Sequence, residues 1–361
     1  MKFEATPLTD AHGAILGHNV YDDDGRRVLR KGRALGDEEL EVLAGLGRDR
    51  VFAARLEPGD VDENEAARRV SEAVAGTGLD LRGPTTGRVN LHAQTLGVLR
   101  VDAAGLDRIN DCDGVTLATR PNHSVARAGK MVGTTKILPY ALSEETVAAA
   151  EGVAASPLIR LDPLPASAAG LIVSGTVAAG RSAGRERLVA GFEKAFRQRL
   201  GTLGAELTHV RFVPIDREQE TEELAATASE LAPDVDLLIL AGETAIQDRH
   251  DLAPTAIETA GGSVICYGAP VDPGNLLLLA ELDGTPVLGA PGCARSPKRN
   301  IVDLVLPRLL VGDRLTRRDI TSLGHGGLLE DVPERPLPRR RIEGPDSATL
   351  RPSHRHPEDP T

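Results

Sequence analysis

Three ionisable side chains, Asp248, His250 and Asp251, stand close together in an acidic stretch that follows a short apolar run. The run, Val235–Leu240, is too short for a helix and is interrupted by a single polar residue. Such a run is typical of a central parallel strand that is covered on both faces. In open parallel sheets, ligands bind where a loop leaves the carboxyl end of a strand toward a helix. Because helical spacing begins at Leu252–Ala260, the sequence predicts a site in this loop.

The two carboxylates of this loop allow two kinds of chemistry. Asp248 and Asp251 repel each other unless a cation or a donor-rich ligand lies between them. They are therefore candidates for holding a divalent cation or for accepting paired N–H groups from a planar heterocycle. The simpler interpretation is that Asp251 caps the following helix, a role worth ~1 kcal/mol. On that interpretation His250 is a solvated loop histidine.

A second cluster of charged residues is cationic. Ser296 followed by proline is a favourable helix start, which predicts a helix over Pro297–Leu310. Arg295, Lys298 and Arg299 crowd this start, where positive charges oppose the helix dipole unless an anion is bound. The cluster therefore predicts recognition of a phosphate. We expect it to share one crevice with the acidic loop.

A glycine-rich segment at 175–184 follows the predicted strand Gly170–Ser174 and precedes the predicted helix Arg185–Leu200. It carries Thr176, Arg181 and Ser182, but it matches neither GxGxxG nor GxxxxGK[ST]. A flexible strand-to-helix loop explains the segment equally well, so its pattern alone indicates no specific ligand.

Length and composition limit the classes of protein that the chain can belong to. A chain of 361 residues is expected to form two or three domains. The net charge of −11 argues against general nucleic-acid binding, which requires a basic face. No apolar run approaches the roughly 18–20 residues that cross a bilayer, and the N-terminus lacks a signal-peptide pattern. We therefore expect a cytoplasmic protein with no membrane partner. The widely spaced Cys112, Cys266 and Cys293 argue against a disulfide framework or a zinc site.

The pattern of elements predicts an α/β fold with a doubly wound, mostly parallel sheet. From residue 168 onward, strand and helix patterns alternate, which implies right-handed crossovers. An Asp-Gly pair at 283–284 predicts a hairpin, and 313–329 reads as rich in strands. The predicted units are a small α+β region (1–80), a β-rich module (81–155), the α/β domain (156–330) and a disordered Pro/Arg-rich tail (331–361).

Three stretches of the α/β region resemble the molybdopterin-binding domain of molybdenum-cofactor biosynthesis proteins. They are Ala241–Thr255, with Gly242 and the run Asp251-Leu-Ala-Pro; Gly268–Leu279, with Pro273-Gly274; and Gly289–Pro297, with Pro291-Gly292 and Ser296. The N-terminal half is similar to a bacterial subgroup that is often fused to a nucleotidyltransferase domain. The similar stretches are EPGDVDENEAA at 57–67, TGRVNLHA at 86–93 and AGKMVGTTKILPYA at 128–141. No nucleotidyltransferase domain follows in this chain.

The resemblance implies binding of molybdopterin, a pterin that carries a dithiolene and a terminal phosphate. It implies that Asp251 and Asp248 act as catalytic carboxylates or hold Mg²⁺, and that Arg295, Ser296 and the amides near Gly292 bind the phosphate. Members that act as transferases insert molybdate by hydrolysing adenylylated molybdopterin. The implied ligand-binding residues are Ser174, Thr176, Gly242, Thr244, Pro273, Gly274, Pro291, Gly292, Arg295, Ser296 and Lys298.

Two departures from the family pattern bear on function. Glu243 stands where a second glycine is usual, and Cys293-Ala294 replaces the Asn-Pro that commonly follows the second Pro-Gly. A glutamate makes the loop less attractive to phosphate or molybdate, so binding tolerates these changes better than catalysis does. Three functions stay open: a molybdotransferase, a non-catalytic carrier for a molybdoenzyme, and a nucleotide pyrophosphatase related to competence-damage proteins. The resemblance also implies a homo-oligomer, with a molybdoenzyme or a nucleotidyltransferase as further partners.

Overall fold

The computed structural model describes residues 1–154, 156–176, 182–215, 219–243 and 246–329. The predicted disordered tail and the central part of the glycine-rich segment, with Arg181, lie outside the described residues. The strands are β1 (Lys2–Pro7), β2 (Ile15–Leu16), β3 (Val20–Tyr21), β4 (Arg27–Leu29), β5 (Arg50–Arg55), β6 (Asp60–Asp62), β7 (Leu79–Thr85), β8 (Arg88–Ala93), β9 (Gly97–Val101), β10 (Val115–Thr119), β11 (Val125–Ala126), β12 (Met131–Ile137), β13 (Ala141–Ser143), β14 (Ile159–Pro163), β15 (Ala168–Gly175), β16 (Glu206–Pro214), β17 (Leu237–Gly242), β18 (Ser263–Tyr267), β19 (Leu278–Leu282) and β20 (Thr285–Gly289).

The helices are α1 (Asp37–Gly45), α2 (Glu63–Val74), α3 (Ala103–Asn110), α4 (Glu144–Val153), α5 (Ser182–Thr202), α6 (Glu220–Leu231), α7 (Leu252–Thr259), α8 (Val302–Leu310) and α9 (Arg317–Thr321). Short 3₁₀ turns lie at Leu8–Asp10, Ala232–Asp234, Gly292–Arg295 and Ser322–Gly324. In the part of the chain that the structure describes, none of the helices is long and apolar enough to span a membrane.

The largest sheet has six strands in the order β16-β15-β17-β20-β19-β18. Strands β16, β15, β17 and β20 run parallel to one another, and β19 is antiparallel to both of its neighbours. The chain passes from β15 to β16 on one side and then returns to β17 on the other side. The strand order therefore reverses between β15 and β17, and this is where open α/β sheets bind ligands.

Strand β17 is buried on both faces, as its apolar run predicts. Leu237 and Ile239 pack in the core that α5 and α8 contribute to. Leu238 and Leu240 pack in a second core, with side chains of α6 and α7. The mixed α/β class and the mostly parallel sheet are thus confirmed, and helices cover both faces of this sheet.

The upstream half of the chain forms smaller antiparallel sheets. They have the strand orders β1-β5-β2, β10-β12-β8-β7 and β11-β9-β14, with the pairs β13-β6 and β3-β4. One core joins α2 to these strands and extends from Ala66 to Leu161, whereas a smaller core extends from Ala11 to Ala53. We therefore propose that the boundaries between successive units of the chain lie between β5 and β6 and between β14 and β15. The segment 313–329 is not rich in strands as predicted: it holds α9 and a 3₁₀ turn, and its strand content is the isolated bridge of Leu328.

Candidate functional site

Three strands of the large sheet end side by side at its carboxyl edge. β15 ends at Gly175, β17 at Gly242 and β20 at Gly289. The Ser174 hydroxyl donates to the carbonyl oxygen of Ala241 (3.3 Å), and so joins the ends of β15 and β17. The loops that follow these ends contain most of the residues that the sequence assigns to a ligand.

A glutamate connects the loops that follow β15 and β17. Both the backbone N–H and the hydroxyl of Thr176 donate to Oε2 of Glu243, each at 2.7 Å. These bonds, the backbone one first, hold the pKa of the Glu243 carboxyl below its usual value. A Cβ at Gly175 would lie 3.3 Å from the same oxygen, so this close approach favours glycine there. Glu243 is therefore an ionised side chain at neutral pH, fixed at the strand-order reversal.

A cationic cavity of about 460 Å³ opens beside this glutamate. Its lining includes Arg185 and Arg187 of α5 and Arg295 of the segment after β20, together with Thr176 and Glu243. Across the described ranges, no carboxylate forms an ion pair with any of these three arginines. Three guanidinium groups thus face a single carboxylate, which makes the cavity suited to an anion.

Two of these arginines lie against aromatic rings. The guanidinium carbon of Arg295 is 5.4 Å from the centroid of the Phe192 ring, and that of Arg185 is 4.5 Å from the centroid of Phe212. Cation–π contacts of this kind contribute roughly 0.5–1 kcal/mol at exposed sites. They restrict where the guanidinium groups lie before any ligand arrives.

The segment that carries Arg295 is held from below by Arg199 of α5, which is only 8% exposed. Arg199 donates from Nη1 to the carbonyl oxygen of Ala294 (2.9 Å) and from Nη2 to that of Ser296 (2.8 Å). Its Nε donates to Oδ1 of Asp303 in α8 (3.0 Å). One buried side chain therefore fixes the backbone on both sides of Arg295.

The predicted helix start at Ser296-Pro297 is wrong. The chain forms the 3₁₀ turn Gly292–Arg295, and α8 begins only at Val302. Oδ1 of buried Asn300 accepts the N–H of Val302 (3.0 Å), and the backbone N–H of Asn300 donates to Oδ2 of Asp303 (2.8 Å). Because Arg199 takes the carbonyls of the intervening segment, that segment stays irregular. The cations therefore do not crowd a helix N-terminus, and Arg295 lines the cationic cavity instead.

The acidic loop is tied together by its own hydrogen bonds. Asp251 caps α7: its Oδ1 accepts the N–H of Leu252 (2.8 Å), and its Oδ2 accepts the N–H of Gln247 (2.9 Å). Asp248 Oδ1 accepts both the backbone N–H and Nδ1 of His250, each at 2.9 Å. The backbone bond is the first cause that lowers the pKa of Asp248. A search of the described residues finds no cluster of three or more His, Cys, Asp and Glu side chains suited to a metal ion.

Asp251 lines a different cavity from Arg295. This second cavity, with Ser174 and Gly242 in its lining, has a volume of about 30 Å³. A water molecule needs roughly 10–15 Å³ by this measure, so the cavity holds water but no pterin ring. Its walls include Leu240 of the α6–α7 core, whereas Leu188 in the cationic cavity packs on the α5–α8 core. The two clusters therefore line separate cavities, where the sequence predicts one crevice.

The other residues predicted to bind ligand have varied positions. Pro273 and Gly274 form a turn beneath the start of α8, and the carbonyl of Pro273 accepts the N–H of Ile301 (3.1 Å). Pro291 is buried, and Gly292 is the exposed first residue of the 3₁₀ turn. The Ser296 hydroxyl accepts the N–H of Lys298 (3.2 Å). Thr244 lies outside the described residues.

Sequence reasoning did not assign a role to Arg187, Arg199 or Asn300. The apolar spacing of α5 identifies its buried face through Phe192 and Phe196, both fully buried here. It does not indicate that Arg199, three residues after Phe196, belongs to the same buried environment. The partners of Arg199 lie about one hundred residues downstream, so no local pattern reports them.

Comparisons with known proteins give the following similarities. A family model described as "Domain of unknown function (DUF8806)" matches residues 5–55. No curated protein matches the chain. Solved structures that it resembles include the molybdopterin biosynthesis moeA protein of Pyrococcus horikoshii (16% identity, TM-score 0.30, 86% of this chain and 75% of that one). A molybdenum cofactor biosynthesis protein of Pyrococcus furiosus matches at 13% identity and a TM-score of 0.22, over 86% of this chain and 63% of that one.

Proposed function

We propose that this chain binds molybdopterin or a molybdopterin nucleotide and acts in molybdenum-cofactor biosynthesis, with the ligand's phosphate in the cationic cavity. The observation that carries the proposal is the group of Arg185, Arg187 and Arg295 beside the strand-order reversal, without acidic partners in the described ranges. The motif resemblance around Gly242 and Pro291 supports the choice of a pterin. The proposed fold of this domain is the doubly wound, molybdopterin-binding type.

The cavity fits a phosphate and part of the group that bears it. Small-molecule sites range over roughly 300–1,000 Å³, and this one is about 460 Å³. Guanidinium groups bind phosphate oxygens in pairs with fixed geometry. The aromatic rings beneath Arg185 and Arg295 already restrict these side chains, so less conformational entropy is lost on binding.

Glu243 sets how much negative charge the cavity accepts. Its carboxylate is ionised at neutral pH, since Thr176 holds its pKa low, and it repels an incoming phosphate. Glu243→Gln keeps an oxygen that can accept both Thr176 bonds but removes the charge. We expect this variant to bind the phosphorylated pterin about tenfold more tightly, equal to about 1.4 kcal/mol, and its dephosphorylated form unchanged. Isothermal titration with both ligands measures this.

The matched control for that variant is Glu206→Gln. Glu206 is exposed at the start of β16, so it lies at the amino end of the parallel strands, whereas the cavity lies at their carboxyl end. It loses the same charge far from the cavity, and we expect no change in affinity. If Glu243→Gln binds the phosphorylated ligand as weakly as the wild type, the glutamate does not face the bound phosphate.

Insertion of molybdate is the enzymatic form of the proposal, with Mg²⁺ held by Asp248 and Asp251. A Mg²⁺ held there would neutralise negative charge on a ligand, but Asp251 lines a cavity separate from the one proposed for the phosphate. Because both carboxylates accept hydrogen bonds from their own loop, we favour binding without turnover. The test incubates the protein with adenylylated molybdopterin, molybdate and Mg²⁺, and measures retained pterin and released AMP. We expect retained pterin without AMP release above the protein-free blank.

Asp251→Asn separates the two forms, because asparagine is as good a helix cap as aspartate. We expect this variant to keep the wild-type affinity for pterin and to lose about 1 kcal/mol of stability, because the amide nitrogen of asparagine cannot accept the N–H of Gln247 as Oδ2 of Asp251 does. AMP release by the wild type that is lost in Asp251→Asn would instead establish a transferase. Hydrolysis of dinucleotides without retention of pterin would favour the pyrophosphatase and contradict the proposal.

A further inference from the structure

A separate cavity lies where the β-rich part of the chain meets the α/β part. Its volume is about 440 Å³, which is within the range of small-molecule sites. One wall is the segment 120–125, which joins β10 to β11, and the other wall is formed by α8, α9 and their neighbours. The junction therefore encloses a space that a small ligand could fill.

The lining combines an apolar floor with a cationic rim. Arg120 and Arg299 are exposed at the rim, and no acidic side chain in the described part of the chain pairs with either of them. The floor consists of Leu304, Val305, Leu315, Ile320 and Leu323.

The remaining charges around this cavity compensate one another. Arg308 donates from Nε to Asp313 and from Nη2 to Asp319, each at 2.9 Å. Asp303 pairs with Arg199 at 3.0 Å. The uncompensated charge at this cavity is consequently the positive charge of the two rim arginines.

The segment that forms the first wall is rigid and carries an unsatisfied hydroxyl. His123 has a φ of +64°, a left-handed conformation that is strained for a non-glycine residue. It is held there because its N–H bonds the carbonyl of Leu99 (2.8 Å), and because Asn122 Oδ1 accepts the N–H of Val101 (3.0 Å). The Ser124 hydroxyl is buried without a hydrogen-bond partner and is closed off from the cavity, which Ser124 lines through its other atoms.

We propose that this cavity binds a small organic anion that has an apolar body. The body lies on the aliphatic floor, and Arg120 and Arg299 hold the anionic group. Since the two walls come from different parts of the chain, the bound ligand stabilises the junction between them. This site is independent of the cationic cavity that holds Arg295.

The test uses 8-anilinonaphthalene-1-sulfonate, an anion with an apolar aromatic body whose fluorescence rises on binding. We expect saturable binding to one site on the full chain, weakened at least tenfold in the Arg120→Ala/Arg299→Ala double variant. Arg26→Ala/Arg27→Ala removes two surface arginines elsewhere and should leave the affinity unchanged.

Arg295→Ala distinguishes this site from the proposed pterin site. We expect it to keep the wild-type affinity for the probe. Loss of probe affinity in Arg295→Ala, equal affinity in the Arg120→Ala/Arg299→Ala variant, or the absence of saturable binding would each overturn the inference. None of these outcomes bears on binding of the phosphorylated pterin, so the two proposals fail separately.

Discussion

Replacing Arg199 with methionine is expected to lower the free energy of unfolding by about 3 kcal/mol, and to weaken binding of phosphorylated pterin at least tenfold. The substitution leaves Asp303 without its ion pair and leaves the carbonyls of Ala294 and Ser296 without their donor. Methionine fills part of the space but donates no hydrogen bond. The segment that carries Arg295 then loses its support, so the proposed pterin site loses one wall.

Urea denaturation and isothermal titration of the same preparation measure both effects. Arg197→Met is the matched control, since Arg197 lies on the same helix but is half-exposed, pairs with Glu193 and donates one hydrogen bond to the carbonyl oxygen of Leu207 (2.9 Å). Exposed ion pairs contribute about 0–1 kcal/mol, so we expect a small loss of stability and no loss of affinity. Equal losses in the two variants would show that Arg199 does not organise the segment.

Gly274→Ala is expected to destabilise the protein by about 2–4 kcal/mol, the sum of a backbone and a steric cost. Gly274 has a φ of +130°, which L-residues rarely adopt. A Cβ built there lies 2.2 Å from Cγ2 of Ile301, which is fully buried at the start of α8. Neither the backbone nor Ile301 can move without disturbing the loop that the turn supports.

Gly284→Ala is the control that isolates the backbone cost. Gly284 also has a positive φ, +84°, but a Cβ there meets no atom within 4 Å. The Gly284→Ala variant should lose only about 1–2 kcal/mol of its free energy of unfolding. Thermal or urea unfolding of both variants measures the difference between them. A loss for Gly274→Ala no larger than that for Gly284→Ala would mean that the turn yields without strain.

The fold of the α/β region was accessible from local patterns. The apolar run before the acidic loop is β17, and the alternation of strands and helices matches the elements from β15 to β20. A strand that is buried on both faces has a continuous apolar run in its sequence. A helix that is buried on one face has apolar residues one turn apart, such as Phe192, Phe196 and Leu200. These signals lie within single elements, so the sequence alone reports them.

The candidate site could be predicted from the sequence only in part. Arg295 and Thr176 were named from sequence and line the cationic cavity, and Glu243 was noted because it departs from a glycine pattern. The helix start at Ser296-Pro297 was wrong because a side chain from α5, far along the chain, occupies the carbonyls of that segment. Which cavity each loop lines is likewise decided by packing, and this separates Asp251 from Arg295.

The central claim is that the cavity beside Arg295 holds the ligand's phosphate. The direct measurement is isothermal titration of the wild type and of Arg295→Ala with molybdopterin and with its dephosphorylated form. The account predicts that the variant binds the phosphorylated ligand at least tenfold more weakly, a loss of about 1.4 kcal/mol, and the dephosphorylated ligand with unchanged affinity. Equal losses for the two ligands, or no loss for either, would contradict it.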